Sequence, residues 1–262
     1  MSIGPKVYNW VGGKCDTLYW DDPKNWAEGK YPNEKEAVAV FDNSTQQDTT
    51  ILIRKDIHLA QIWLNEKKSL TFAHEFAQDD PAAPKFYLET TNQLSMLYVN
   101  ENNISDHTFA IWILHSCYWN GTSRSIASPR LGDDKINTIH YRGRISNYKD
   151  PDRASLQVYG NMAIQLDCQN DFRGPVIAKR NGRIRVSANG AIPDGTPITV
   201  DEGAELYIAD DVVVQASELR LNGVMIEPGT YSASELKDQY LLGKEISFPD
   251  ARVTGSGSVV VG

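Results

Sequence analysis

The chain has 262 residues, with 34 Asp and Glu against 26 Lys and Arg and a formal net charge of −8. Its 41% hydrophobic and 23% charged content are those of an ordinary folded chain, and no apolar run approaches the ~20 residues that a membrane-spanning helix needs. The overall acidity argues against a general affinity for nucleic acid.

In chain order, Met1-Ser2-Ile3-Gly4-Pro5-Lys6 shows no basic segment followed by an apolar one, so no leader is read there. Residues 1–36 hold Trp10, Trp20 and Trp26, expected to close one end of the fold as a cap. Residues 37–72 alternate apolar and polar in short bursts (Val38-Val40, Ile51-Ile53, Ile57-Leu59, Ile62-Leu64, Leu70-Phe72), the period-two pattern of strands. Residues 75–107 are less regular, with a loop at Asp79-Asp80-Pro81-Ala82-Ala83-Pro84. The apolar run Thr108 to His115 predicts one strand buried on both faces, and residues 120–135 predict a long loop.

From 155 onward the pattern becomes repetitive. Strands are predicted at 156–159, 162–166, 175–178, 183–187, 198–200, 204–208, 212–214, 217–221 and 258–261. Ile184 and Val186 oppose Arg183 and Arg185, Leu206 and Ile208 oppose Glu205 and Tyr207, and Leu219 and Leu221 oppose Glu218 and Arg220. Asn181-Gly182, Asn189-Gly190, Gly195, Gly203 and Asn222-Gly223 punctuate these strands, as corners needing positive φ would. Ser232-Ala233-Ser234-Glu235 is a capping box for one short C-terminal helix whose apolar face is Leu236, Tyr240 and Leu241 and whose end is Gly243. The expected fold is all-β and parallel β-helix or solenoid-like, with a β-sandwich as the alternative. It forms one elongated domain over 1–262, divided into a Trp-rich cap (1–36), an irregular β region (37–154) and a repeat-like β region (155–262).

Two stretches resemble exported bacterial proteins with autotransporter-associated β-strand repeats. The first runs through Tyr8-Asn9-Trp10-Val11-Gly12-Gly13, Tyr19-Trp20-Asp21-Asp22-Pro23-Lys24-Asn25-Trp26, Tyr31-Pro32-Asn33 and Ala39-Val40-Phe41-Asp42. The second runs from Asn170-Asp171-Phe172-Arg173-Gly174 through Gly182-Arg183-Ile184-Arg185-Val186, Gly190-Ala191-Ile192-Pro193 and Gly203-Ala204-Glu205-Leu206 to Leu219-Arg220-Leu221-Asn222-Gly223. Pro228-Gly229-Thr230-Tyr231 and Val253-Thr254-Gly255-Ser256-Gly257-Ser258-Val259 resemble family C-termini. Arg and Lys stand at 179–185 where the family has Gly or Thr. The resemblance implies a right-handed β-helix, secretion or surface display with the leader already removed, and no shared catalytic residues.

Chemistry-bearing constellations are sparse. His58, His74, His107, His115 and His140 show no metal-ligand spacing, the acidic pairs match no calcium loop, and no metal or cofactor is expected. Cys15, Cys117 and Cys168 are too few for a disulfide framework, leaving buried thiols or one disulfide plus a thiol. Asp42 in Val40-Phe41-Asp42-Asn43-Ser44 and Asp48 in Asp48-Thr49-Thr50 come nearest to a paired-aspartate acid protease, but both lack its glycine. A carboxylate-dependent hydrolase of glycoprotein or polysaccharide is therefore the alternative to a non-enzymatic module.

Charge is unevenly placed. Residues 120–190 hold twelve Lys and Arg against six Asp and Glu. Arg183 and Arg185 share one strand face, and Arg142, Arg144, Arg173, Lys179 and Arg180 extend the candidate patch. Guanidinium forks suit sulfate, carboxylate or phosphate groups, and Tyr141, Tyr148 and Tyr159 offer stacking faces. The expected partner is an anionic glycan or mucin-like glycoprotein, with nucleic acid as a weaker alternative.

Overall fold

The computed structural model describes residues 5–12, 17–77, 80–90, 95–100, 103, 105–115, 119–123, 137–147, 155–201, 203–240 and 251–262. Cys15, Cys117, Tyr148, the pair Asp133-Asp134, Asp150, Asp152 and the expected helix end at Leu241 and Gly243 lie outside these residues, as does most of the loop expected at 120–135.

Strands β1 (Lys6–Asn9) and β2 (Thr17–Tyr19) begin the first and second sheets, and β3 (Ala37–Asp42), β4 (Thr49–Leu52) and β5 (Ile57–Leu59) follow, β5 belonging to a third sheet. Three further passes visit first, second and third sheets in the same order. They are β6 (Gln61–Asn65), β7 (Leu70–Ala73) and β8 (Lys85–Leu88); β9 (Ser95–Val99), β10 (His107–Ala110) and β11 (Trp112–His115); and β12 (Trp119–Ser123), β13 (Thr138–Tyr141) and β14 (Ile145–Asn147). Strands β15 (Leu156–Tyr159), β16 (Ala163–Leu166), β17 (Val176–Lys179), β18 (Arg183–Val186), β19 (Pro197–Val200) and β20 (Glu205–Ile208) then alternate between the first and second sheets. The C-terminal part contains β21 (Val213–Ala216), β22 (Glu218–Leu221), β23 (Val224–Met225), β24 (Gly229–Ser232), α1 (Ala233–Tyr240), β25 (Arg252–Gly255) and β26 (Ser258–Val261).

Among the described residues the protein is therefore all-β, with largely parallel sheets and one short α-helix. Among the described residues, strands pair in parallel except β22 with β23 and β24 with β26. In the first sheet Leu156 pairs with Val176, Val176 with Ile198 and Ile198 with Leu219, so the chain returns after 20, 22 and 21 residues. The antiparallel pairing usual in a sandwich is absent from these ladders.

Period two explains the packing. Ile164, Ile184, Leu206 and Val253 occupy one register row of the second sheet, and Leu166, Val186 and Ile208 the next inward row. All seven side chains are at most 2% exposed, and each buried aliphatic contributes about 1.5–3 kcal/mol. Nearer the N-terminus the second row turns aromatic. Phe72 stacks on Phe109 (4.6 Å) and Phe109 on Tyr141 (5.6 Å). Trp10, Trp20 and Trp26 gather around Phe41 at centroid distances of 5.4, 6.0 and 5.8 Å. All three indoles are buried beside β1 and β2, the terminal strands of the first two sheets.

The corners are tied by Asn and Asp. A side-chain oxygen accepts the backbone N–H of a residue 21 to 32 positions later at Asn33 to His58, Asp48 to Ser69, Asp56 to Lys85, Asp106 to Thr138, Asn147 to Arg173 and Asn189 to Val213. Asn170 is buried and points the other way along the chain. Its Oδ1 accepts from Ile145 N at 2.7 Å, while its Nδ2 donates to Ala191 O at 2.7 Å.

Turn chemistry agrees with these corners. Arg180 (φ 50) and Asn181 (φ 68) form a left-handed pair, and Asn222 (φ 50) with Gly223 (φ 77) closes the β22–β23 hairpin. Gly182 keeps a negative φ and serves by close approach, because a Cβ there would meet Val158 O at 2.3 Å. The capping box forms as expected. Ser232 N donates to Glu235 Oε2 (2.7 Å), and Glu235 N donates to Ser232 Oγ (3.3 Å).

Two expectations are corrected. The run 108–115 is two strands in different sheets, β10 and β11, with Ile111 between them. Phe109, Ile111 and Ile113 keep alternate inward positions through the bend, and the outward residues Ala110, Trp112 and Leu114 are themselves apolar, which hides the alternation. The start of the expected loop at 120–135 belongs to strand β12.

His107 is 1% exposed and accepts the Leu70 N–H on Nδ1 (3.1 Å), so its remaining proton sits on Nε2, 2.8 Å from Asn103 Oδ1. Burial pushes its pKa down from 6.5 to about 4. The unfolded chain therefore binds more protons in that interval. Stability is full above pH 6.5 and falls by roughly 3 kcal/mol as pH drops through 4. Urea midpoints measured against pH will show this slope, and His107→Gln will flatten it; a variant with the wild-type slope would count against the assignment. Asn170→Ala leaves two buried backbone groups unpaired and will cost about 2–3 kcal/mol by urea unfolding, against about 1 kcal/mol for Asn189→Ala at its exposed corner.

Candidate functional site

The outer face of the first sheet bears a half-open groove of about 630 Å³. Four adjacent strands supply its walls: Val7 and Asn9 from β1, Val40 and Asp42 from β3, Trp63 and Asn65 from β6, and Met96 and Tyr98 from β9, with Asn100 just beyond. Parallel register sets this arrangement. Asn9 pairs with Val40, Val40 with Trp63 and Trp63 with Tyr98, so four outward side chains form one row across the strands.

Trp63 is 37% exposed and, among the described residues, is the one tryptophan that stands with the exposed large apolar side chains. It meets Tyr98 edge to face at 5.6 Å. Its indole Nε1 donates to Gln61 Oε1 at 2.8 Å, two residues earlier on the same strand, which fixes the ring. Asp42 Oδ1 accepts from Asn65 Nδ2 (2.5 Å) and from Asn43 Nδ2 (3.2 Å). Asn9 is held in turn by Glu28, whose Oε1 accepts from Asn9 Nδ2 at 2.8 Å. The groove thus joins an aromatic and aliphatic floor to amide and carboxylate edges. Such a surface fits a ligand with flat apolar faces and many hydroxyls. Among the described residues that line it, Asp42 is the one carboxylate, whereas glycoside hydrolysis by the usual route uses two, about 5–9.5 Å apart.

The candidate residues from the sequence fall in several places. Asp42 lies in the groove, while Asp48 serves a corner through its bond to Ser69 N, so the two aspartates have separate partners. Arg142 and Arg144 flank the turn between β13 and β14. Arg142 Nε lies 3.8 Å from Asp167, and Arg144 pairs with Asp171 at 2.7 Å while its guanidinium sits 5.3 Å from the Trp112 ring. Arg173 donates its backbone N–H to Asn147 Oδ1, and Arg180 forms a turn. Lys179 belongs to the first sheet and lies 3.5 Å from Asp201.

Arg183 and Arg185 share the outer face of β18 in the second sheet, as expected. The same face carries Arg252, because Arg183 pairs in register with Glu205 and Glu205 with Arg252. Arg183 Nε is 3.5 Å from Glu205 Oε2. Burial and the neighbouring Arg185 and Arg252 lower the Arg183 pKa, against the opposing pull of Glu205. Tyr207, 37% exposed, stands beside Arg185 in the adjoining row.

Among the described residues, no three His, Cys, Asp or Glu side chains converge as a metal-ligand set, and no helix is long and apolar enough to cross a membrane. Comparisons with family models, with curated proteins and with solved structures return no match.

Tyr98, Asn65, Asn100 and Arg252 were not singled out from the sequence. The available signal was the outward parity of Trp63 in the burst 61–65, opposite the buried Ile62 and Leu64. Trp10, Trp20 and Trp26 are at most 2% exposed, so Trp63→Phe will lower the Stern–Volmer slope for acrylamide quenching, whereas Trp20→Phe, which removes a shielded emitter, will raise it. Equal slopes in both variants would place Trp63 away from solvent.

Proposed function

We propose that this chain is a parallel β-helix module of an exported bacterial surface protein, and that it holds glycan chains on the outer face of its first sheet without cleaving them. The helical reading is supported by the fixed order of sheet visits and the near-constant 20 to 22 residue return in the C-terminal half. The residues behind the family resemblance have matching structural work: Trp10, Trp20, Trp26 and Phe41 are packed together, Asn170 ties a corner and Phe172 is buried. Export and display follow from that family reading.

The observation that carries glycan binding is Trp63 and Tyr98 side by side on adjacent strands, in a groove edged by amides and one carboxylate. The aromatic faces offer apolar stacking for pyranose rings, and the edges offer donors and acceptors for hydroxyls. Asp42 disfavours a densely anionic ligand in this groove.

A second site for acidic groups is supported by Arg252, which joins Arg183 and Arg185 on the second sheet with Glu205 as their near carboxylate. Salt dependence separates the two sites, because contacts among exposed charges are screened and stacking is not.

Calorimetric titration against a glycan panel in a salt series tests the proposal. The expected result is salt-tolerant binding that falls about 30-fold in Trp63→Ala or Tyr98→Ala, the loss of a hot-spot aromatic worth about 2 kcal/mol. Steeply salt-dependent binding lost in Arg183→Glu and Arg185→Glu would move the site to the arginine face, and competition by arbitrary DNA sequences would assign that face to nucleic acid. Turnover of the glycan that disappears in Asp42→Asn would make the groove a hydrolase.

A further inference from the structure

Resting on the glycan reading of the groove, we infer that its ligand is an uncharged, extended β-linked polysaccharide lying across the strands, and that Tyr159 forms a remote subsite for it. The register row through Trp63 and Tyr98 continues past the groove. Tyr98 pairs with Thr122, and Thr122 with Tyr159, so Trp63, Tyr98 and Tyr159 occupy one outward row of the first sheet.

Tyr159 is held as Trp63 is. Its hydroxyl donates to Gln157 Oε1 at 2.8 Å, and Gln157 lies two residues earlier on the same strand. Gln61 and Gln157 in turn share the neighbouring row, through Met96 and Asn120. A ring tethered by a glutamine at i−2 therefore recurs at the same two register positions, three strands apart. Gln157 is itself braced, its Nε2 donating to Ser155 Oγ at 2.6 Å. This repeat ties the two rings into one surface rather than two unrelated exposed aromatics.

Spacing selects the ligand. Adjacent strands lie about 4.8 Å apart, close to the advance of one hexose in a fully extended glycan. From Asn9 to Tyr159 the row crosses five strand intervals, about 24 Å in all, room for roughly five sugars at one per interval. A straight chain with diequatorial β-linkages follows such a row and presents apolar ring faces along it. A curling α-linked chain leaves the row after a few residues. The row reaches β17 at Lys179, whose ammonium lies 3.5 Å from the Asp201 carboxylate, so the row's own cation is already paired with an anion.

The test titrates the intact protein with chitobiose and chitohexaose, cellobiose and cellohexaose, and maltohexaose as the curling control. The expected result is a hexasaccharide of at least one β-linked series binding at least about tenfold more tightly than its disaccharide, with maltohexaose weak. Tyr159→Ala lowers hexasaccharide affinity about tenfold and leaves disaccharide affinity unchanged, whereas Trp63→Ala weakens both. Tyr159 is partly exposed, and equal urea midpoints for variant and wild type confirm that its removal leaves the fold intact. Equal affinity for di- and hexasaccharide, with Tyr159→Ala neutral and Trp63→Ala damaging, overturns the extended ladder and keeps the groove. Preferred binding of maltohexaose overturns the linkage assignment. No binding of any oligosaccharide overturns the groove reading beneath both.

Discussion

The architecture depends on how its corners satisfy backbone N–H groups. Parallel ladders pair the strands, but each pass must bend sharply between sheets, where a buried or half-buried N–H has no ladder partner. Asn and Asp side chains provide the acceptors, each reaching a residue on another pass, as Asn147 does to Arg173 and Asn189 to Val213. These bonds fix the relative placement of successive corners. The inward rows then meet in register, and the outward rows stand in line. The first-sheet groove exists because of that alignment, since its walls come from strands that are distant in sequence.

The corner role also explains polar residues whose part in the fold the sequence alone left open. Asp48, singled out for its neighbours Thr49 and Thr50, holds the N–H of Ser69. His107, which looks like an isolated histidine in the sequence, is a buried acceptor for Leu70 N and a neighbour of Asn103. In both cases the side chain completes backbone hydrogen bonding within the fold.

Strands β15 to β20 and β22 were legible because each is four residues long, most alternate buried and outward positions, and Asn, Gly or Asp follows within three residues of each end. The predicted strand at 156–159 coincides with β15, and that at 258–261 with β26. The middle was harder to read. Ala110, Trp112 and Leu114 are apolar outward residues, so alternation gave way to a uniform run across β10 and β11. The pairing of Arg183 with Arg185 on one face followed from period two alone, but Arg252 joined them only through register across the 46 positions between Glu205 and Arg252. The groove was invisible for the same reason. Asn9, Trp63 and Tyr98 are unremarkable in their local contexts, Asp42 stood out for a different chemistry, and only strand pairing makes the four neighbours.

The i−2 glutamine beside Trp63 and again beside Tyr159 keeps each ring's support within its own short strand. Changing the ring on one strand need not loosen the ring on the next. A surface built in this way can be rewritten one position at a time, so related chains can diverge in what they grip while the scaffold beneath stays the same.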